Sequence, residues 1–341
     1  MAEHSGGDGP SNRTASPRLT VLVNPASGKG RGVAAGEAAA ARLRELGAEV
    51  TVHIGASADE TRRHTAEAVA AAPDALVIVG GDGTLSAVLD QLLGGSDATA
   101  VPSVPVALVP AGTGNDLARA LGLPYAGQNA EARAAELALS GAVRRIDVGE
   151  AVCPDGHAKF LTVAALGFDA YVSDRTNRLR WPKGKARYYL ALLIELARLR
   201  PLAFRVGLDD GAAARLPGIL AAVGNTRSYG GGLPMCPQAD PADGLLELTH
   251  IAPVGRLKLL RLFPLLLGAR HLARPEVRSW RAERVHIEAP GLVVYADGER
   301  VGTDSVSIRL LSGALPILVP VTGRQTAGGG RGSSVSGGGK A

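Results

Sequence analysis

The stretch Leu76-Val77-Ile78-Val79-Gly80-Gly81-Asp82-Gly83-Thr84-Leu85 reads as a buried strand that runs straight into a glycine turn. Four apolar residues, three of them β-branched, suit a short interior strand. Gly80, Gly81 and Gly83 then strip side chains from its carboxyl end, so backbone N–H groups can approach an anion in a concave turn. Thr84 adds a hydroxyl. Residues 85–93 have helical spacing, which would aim a positive helix terminus at the same spot. Asp82 repels an anion unless a cation lies between, so Mg2+ bound to a polyphosphate is the expected partner. The competing reading is a plain strand-to-helix turn with Asp82 as a cap.

Two further glycine turns follow strands in the same half of the chain. Leu19-Thr20-Val21-Leu22-Val23 leads to Asn24-Pro25-Ala26-Ser27-Gly28-Lys29-Gly30, and a strand at 104–109 leads to Pro110-Ala111-Gly112-Thr113-Gly114-Asn115-Asp116. Helices are predicted at 33–46, with Ala39, Leu43 and Leu46 on one face and Gly47 as the stop, and up to residue 72 from a cap at Ser57 or Asp59. Others are predicted at 117–121 and 130–140, a strand at 50–54, and a loop over 91–103. Strand and helix therefore alternate through the first 147 residues. That pattern predicts an open α/β sheet, whose ligands bind beyond the carboxyl ends of the strands.

After Asp147 short strands dominate, at 160–166, 202–208, 218–223, 245–251, 284–288 and 292–295, which predicts a mostly antiparallel second domain. Helical insertions are expected at 186–199 and 257–273, the latter kinked or split at Pro264. Closing strands are expected at 305–311 and 317–321. The predicted division is a disordered leader over 1–17, a first domain over 18–146 with a returning segment at 303–322, a second domain over 147–302, and a Gly/Ser tail over 323–341.

A chain of 341 residues can hold two such domains. Apolar residues make up 46% and aromatics 4%, so Ala, Val and Leu must build the core. Cys153 and Cys236 have neither metal spacing nor a disulfide framework, which fits a reducing cytoplasm. No apolar signal core or membrane-spanning run is present, so a soluble protein is expected. The net charge of +5 is uneven: residues 175–205 hold nine Lys/Arg against Glu195, and residues 256–284 hold eight against Glu276 and Glu283. No aromatic-studded sheet or recognition helix accompanies them, so nucleic acid is not an expected partner. Apolar segments lie beside both clusters, at 188–199 and 257–267, and favour an anionic membrane surface. Solvated helix faces are the alternative.

The 24–32 turn carries a lysine, yet it fails the pattern G-x-x-x-x-G-K-[ST], because Gly30 stands where a hydroxyl residue belongs. The dinucleotide pattern G-x-G-x-x-G fails too, with Ser86 in the third position. What remains resembles the catalytic domain of diacylglycerol kinases, specifically the soluble bacterial lipid kinases. The resemblance rests on Asn24-Pro25-Ala26-Ser27-Gly28-Lys29, on residues 80–85, on Gly112-Thr113-Gly114-Asn115-Asp116-Leu117-Ala118-Arg119 and on Asp297-Gly298-Glu299. Arg145-Ile146-Asp147-Val148-Gly149, Gly167-Phe168-Asp169-Ala170 and Asp240-Pro241-Ala242-Asp243-Gly244-Leu245 agree more weakly.

The resemblance implies a phosphofructokinase-like nucleotide-binding domain, a C-terminal β-sandwich, and an active site in the cleft between them. It implies ATP held by Asn24, Ser27, Gly28, Lys29, Gly80, Gly81, Asp82, Gly83, Thr84, Leu85, Gly112, Thr113 and Asn115. Asp82, Asp116 and Asp147 would join a water-mediated network at the nucleotide Mg2+. Asp240, Asp243 and the Leu245 carbonyl would hold a structural Mg2+, and Glu299 would be the general base beside Asp82. The family's threonine after the second strand is missing; Ser57 is the nearest substitute. Spacing alone leaves plainer readings open: Asp-Gly hairpin turns at 243–244 and 297–298, a helix cap at Asp116, a strand end at Asp147, and a solvated Lys29.

The implied activity is transfer of the γ-phosphate of ATP to a hydroxyl of diacylglycerol or a related lipid alcohol, at the inner face of the membrane. A homodimer is an optional partner arrangement. Two alternatives stay in view: a kinase for a soluble acceptor, of the NAD kinase or phosphofructokinase kind, and a non-catalytic lipid- or nucleotide-binding module.

Overall fold

The computed structural model of the protein describes residues 15–94, 104–182 and 185–321. The expected tail, residues 1–14 of the expected 1–17 leader, and most of the expected 91–103 loop lie outside the described residues; Pro17, inside them, accepts the Glu49 amide at 2.9 Å. Four parallel strands build the first half: β1 (Arg18–Val23), β2 (Glu49–Ile54), β3 (Ala75–Gly80) and β4 (Val106–Pro110), in the order β2-β1-β3-β4. Every residue of β3 and β4 is buried, as a strand covered on both faces requires. Each Val, Leu or Ile removed from water there contributes about 1.5–3 kcal/mol.

Helix Gly32–Glu45 packs Ala35, Ala39 and Leu43 into the same core as Ala134, Ala135 and Leu137 of helix Ala130–Ser140. Gly36 permits its close approach to β1, since a Cβ there would lie 2.5 Å from the Val23 side chain. Leu46 leaves the expected apolar face and is 45% exposed, because the helix stops at Glu45 and Gly47 turns the chain with φ +89°. Ser57 does cap helix Ala58–Ala70, accepting the Glu60 amide at 3.2 Å. The helix expected over 85–93 is two short ones, Asp82–Ser86 and Leu89–Leu92, divided where Val88 leaves helical geometry.

The second half contains β5 (Ala142–Cys153), β6 (Gly156–Phe160), β7 (Val163–Gly167), β8 (Arg205–Leu208), β9 (Ala214–Arg215), β10 (Leu220–Gly224), β11 (Leu246–Ile251), β12 (Val277–Ala282), β13 (Arg284–Ala296) and β14 (Glu299–Val319). They pair antiparallel with one another. Here the strand expected over 160–166 breaks at Leu161-Thr162, while two pairs of expected strands fuse into β13 and β14 across bulges. Helix Phe168–Arg178 and strand β12 were not foreseen; both are too rich in charge to show a clean apolar period. Helix Arg256–Leu267 runs through Pro264, and the expected break falls after it, before the 3-10 turn His271–Ala273. Cys153 and Cys236 are both buried and free.

Strand β14 is the spine of the molecule. It pairs antiparallel with β13 and with β5, and its end lies parallel to β4 through Ile317 and Val106. One mixed sheet therefore runs β12-β11-β10-β7-β13-β14-β4-β3-β1-β2. The expected boundary at 147 falls inside β5, which pairs with β14 from Ala142–Val319 to Val152–Ser307. Continuous strands, rather than a linker, join the two halves.

Candidate active site

The three glycine turns leave β1, β3 and β4 at the same edge and touch one another. A Cβ on Gly28 would meet the Ala111 carbonyl oxygen at 2.2 Å, and one on Gly112 would meet the Gly81 Cα at 2.5 Å. Asn24 Nδ2 donates to Thr84 Oγ1 at 2.9 Å, and the Ser27 and Thr84 hydroxyls lie 3.1 Å apart. Only residues without side chains allow three turns to crowd together in this way. Gly28 (φ +59°), Lys29 (φ +64°) and Gly30 (φ +92°) are all left-handed, and Lys29 has the Cβ that such a backbone disfavours. The strain points to a concave backbone built for an anion.

These turns line a cleft of about 930 Å³ between the two halves. Of the residues expected to hold nucleotide, Asn24, Ser27, Gly28, Lys29, Gly81, Asp82, Gly83, Thr84, Gly112 and Thr113 line it. Gly80, Leu85 and Asn115 stand behind it. A Cβ on Gly80 would strike the Thr84 side chain, Leu85 is fully buried in the core, and Asn115 braces the third turn through the Gly112 amide and carbonyl. Ser57 also lines the cleft.

Asp82 caps a helix, though not the one it begins. Its two oxygens accept the amides of Asp116 (2.8 Å) and Leu117 (3.1 Å), so it fixes the start of helix Asp116–Ala120. Burial pushes its carboxyl up from the ordinary range against those two amides, and the charges of Asp297 and Asp116 add to the push. A cation beside Asp82 would relieve that crowding, but both its oxygens accept amides and among the described residues no three acidic, His or Cys side chains are grouped to ligate one directly. Asp116 does not cap. It accepts from Arg119 (2.7 Å), the Ser228 hydroxyl (2.9 Å) and the Gly231 amide (2.7 Å), and so latches the two halves together.

Asp147 does not join them. Its oxygens accept the amides of Gly244 (2.8 Å) and Gly313 (2.7 Å), and its own amide donates to the Pro241 carbonyl. It anchors the 240–245 turn instead of facing the cleft. In that turn Asp240 pairs with Arg144, and Asp243 pairs with Arg281. Both carboxylates are thus neutralised by arginines, and among the described residues no group of three acidic, His or Cys side chains is placed to hold a metal.

Glu299 lines the same cleft as the glycine turns, as the first residue of β14. Asp297 and Gly298, with φ +48° and +87°, form the two-residue loop between β13 and β14 that an Asp-Gly pair favours. The hairpin is therefore real, but Asp297 is more than a turn former. Its carboxylate accepts from Ser86 (2.5 Å), the amides of Leu161 (2.7 Å) and Thr162 (2.9 Å), and the Thr162 hydroxyl. Ser86 belongs to the first half, so this residue fixes the Glu299 hairpin against the glycine wall.

The far wall of the cleft carries side chains that the sequence did not single out. Asp169, in the first turn of helix Phe168–Arg178, accepts the Tyr229 hydroxyl at 2.6 Å. Burial raises both groups above their usual range. Tyr188 and Tyr295 complete this wall. Asp169 lies in the Gly167-Phe168-Asp169-Ala170 motif, the only signal that could have marked it.

Comparison with known proteins adds to this geometry. Residues 18–151 match the diacylglycerol kinase catalytic domain, and residues 162–319 match the YegS C-terminal NAD kinase beta sandwich-like domain. A diacylglycerol kinase of Mycobacterium tuberculosis is 45% identical over 304 residues, covering 89% of this chain and 95% of that protein. A YegS-like lipid kinase of Pseudomonas aeruginosa, described as probable, is 34% identical over 287 residues, covering 83% and 89%. A solved diacylglycerol kinase of Bacillus anthracis superposes with a TM-score of 0.65 at 20% identity, covering 90% of this chain and 98% of that one, which speaks to the fold alone.

Proposed function

This chain belongs to the diacylglycerol kinase family and is a lipid kinase; from that premise we propose that it transfers the γ-phosphate of ATP, with Mg2+, to a hydroxyl of diacylglycerol or a related lipid alcohol. The observation that carries this reading is the convergence of three glycine-rich turns and Glu299 on one cleft. Phosphoryl transfer asks mainly for positioning and charge neutralisation. The backbone amides of the 28–30 and 81–84 turns, with the Ser27 and Thr113 hydroxyls and Lys29, would hold the polyphosphate. Bound Mg2+ would neutralise the charge between that polyphosphate and Asp82 and Asp116. Asp82 also holds the third turn in place. Glu299 would take the proton from the acceptor hydroxyl at its carboxylate oxygen. Asp147, pinned to two backbone amides, would act from a distance by fixing the 240–245 turn. A divalent ion at Asp240, Asp243 and the Leu245 carbonyl would share those carboxylates with Arg144 and Arg281.

The reading includes peripheral contact with an anionic membrane at its inner face. Among the described residues no helix is long and apolar enough to cross a membrane. Helix Lys185–Ala197 exposes Tyr189 and Leu193, and helix Arg256–Leu267 exposes Leu257, Leu260 and Leu267. The test is incubation with γ-labelled ATP, Mg2+, a total lipid extract, and NAD and fructose 6-phosphate as soluble competitors. Label should appear in a lipid phosphomonoester. Label confined to a soluble acceptor, or bound ATP with no transfer, would overturn the proposal.

A further inference from the structure

Outside the catalytic cleft, helix Arg256–Leu267 borders a hollow of about 920 Å³, whose charged lining is Arg256, Lys258, Arg261, Arg274 and Glu276. Four cations face one acid. Lys258 pairs with Glu276, and Arg256 donates to the carbonyls of Leu196 (3.0 Å) and Ala197 (2.7 Å). Arg261 and Arg274 make no salt bridge among the described residues and are exposed, although the Arg274 charge also bears on Glu276. The helix is twelve residues long, and its cap, Gly255, brings no side chain to the first amides, which open beside the same hollow.

The same helix has two apolar faces. Leu259, Leu262 and Leu266 point into the core, while Leu257, Leu260 and Leu267 are 72%, 50% and 65% exposed. At about 100° per residue the exposed three fall within one quarter of the helix, roughly opposite the buried three. Arg256 and Arg261 border that outer stripe on either side. A stripe of leucines edged by cations suits a bilayer surface, where apolar side chains enter the acyl boundary and the cations stay among the head groups.

We propose that this hollow is a second lipid site, which takes the phosphomonoester head of an anionic phospholipid while the leucine stripe sits in the bilayer. The proposal rests on the lipid-kinase reading and extends it. A concave site with two exposed arginines outside any salt bridge suits a small, densely charged group that accepts forked hydrogen bonds. Diffuse attraction to a charged membrane would need no hollow and would not tell head groups apart. Arg256 locks this helix to the carboxyl end of helix Lys185–Ala197, whose Tyr188 walls the catalytic cleft. A head group seated here would therefore hold the cleft wall at the bilayer. Phosphorylation of a lipid alcohol yields a lipid phosphomonoester, so the product itself would prolong the stay of the protein on the membrane.

Flotation with phosphatidylcholine vesicles tests this, the vesicles carrying phosphatidate, phosphatidylserine or phosphatidylglycerol at matched surface charge. Wild-type protein should prefer phosphatidate, and the double variant Arg261→Gln/Arg274→Gln should lose that preference and bind about 25-fold more weakly, at about fivefold per cation. Its phosphorylation of diacylglycerol in detergent micelles should match wild type, which separates this site from the catalytic reading and shows that the variant folds. Leu257→Ser/Leu260→Ser should weaken binding to all three vesicles while keeping the order among them. Equal binding of wild type to the three vesicles, or a phosphatidate preference that survives in the arginine variant, would overturn the site. So would millimolar inorganic phosphate that releases the protein as well as phosphatidate competes for it.

Discussion

The wall of the cleft built on β1, β3 and β4 is made of glycine turns that carry small or polar side chains and no aromatic one, whereas the wall facing it presents Asp169, Tyr188, Tyr229 and Tyr295. On the glycine wall the work falls to amides and to a few hydroxyls, and the tolerance is steric: turn meets turn at Gly28–Ala111 and Gly81–Gly112. Such a surface grips a charged, repetitive group and is indifferent to what that group is attached to. The opposite wall has shape and specific polar partners, as in the Asp169–Tyr229 pair. On the proposed reading the donor would take the backbone wall and the acceptor the side-chain wall. Glu299 sits on the seam, on the hairpin that Asp297 fastens to both.

The largest expected effect tests that seam. Glu299→Gln should lower kcat by about 10²–10⁴-fold, the usual contribution of a general base, with nucleotide affinity unchanged. A loss confined to KM for ATP would instead assign Glu299 to nucleotide binding. Smaller, but sharper, is a contrast between two glycines of the glycine wall. Gly112→Ala places a Cβ 2.5 Å from the Gly81 Cα and 2.8 Å from Asn115 Oδ1, so overpacking should cost about 1–3 kcal/mol in unfolding experiments. Gly83→Ala meets nothing within 4 Å. It should leave the melting temperature unchanged or slightly raised and weaken ATP binding only, as a methyl group entering the cleft must. Equal thermal losses in the two variants would show that the turns are not packed as described.

This contrast also explains what could be read from the chain. Glycine spacing is written consecutively, so the 24–30, 80–84 and 112–116 turns were legible, and parallel β3 and β4 followed from their β-branched runs. The side-chain wall is assembled from residues 169, 188, 229 and 295, which lie on four separate segments and share no local pattern. Asp147 shows the limit in the other direction. It sits near a strand end in an Ile-Asp-Val-Gly run, as a ligand-edge carboxylate would, yet β5 continues past it to Cys153 and turns its oxygens to Gly244 and Gly313. Strand length, which depends on the partner β14, decided where that carboxylate points. The same long pairing hid the domain boundary, since a sequence break at 147 has no counterpart in a strand that spans it.

The smallest expected effect separates the two walls by their response to pH. Asp82 and Asp169 are both raised by burial, one on each wall. Their unfolded counterparts ionise near pH 4. Above that pH the unfolded chain has released protons that the folded chain still holds, so stability is greatest below it and falls as pH rises towards each folded value. Melting temperatures of the ligand-free protein should therefore decline over that window, and Asp169→Asn and Asp82→Asn should each flatten part of the slope. Mg2+ with ATP should remove the share that belongs to Asp82, because a cation beside it favours the ionised form, and should leave the share of Asp169, whose partner is the neutral Tyr229 hydroxyl. Equal suppression of both shares would mean that the cation sits between the walls rather than against the glycine one, and the line drawn between donor and acceptor sides would have to move.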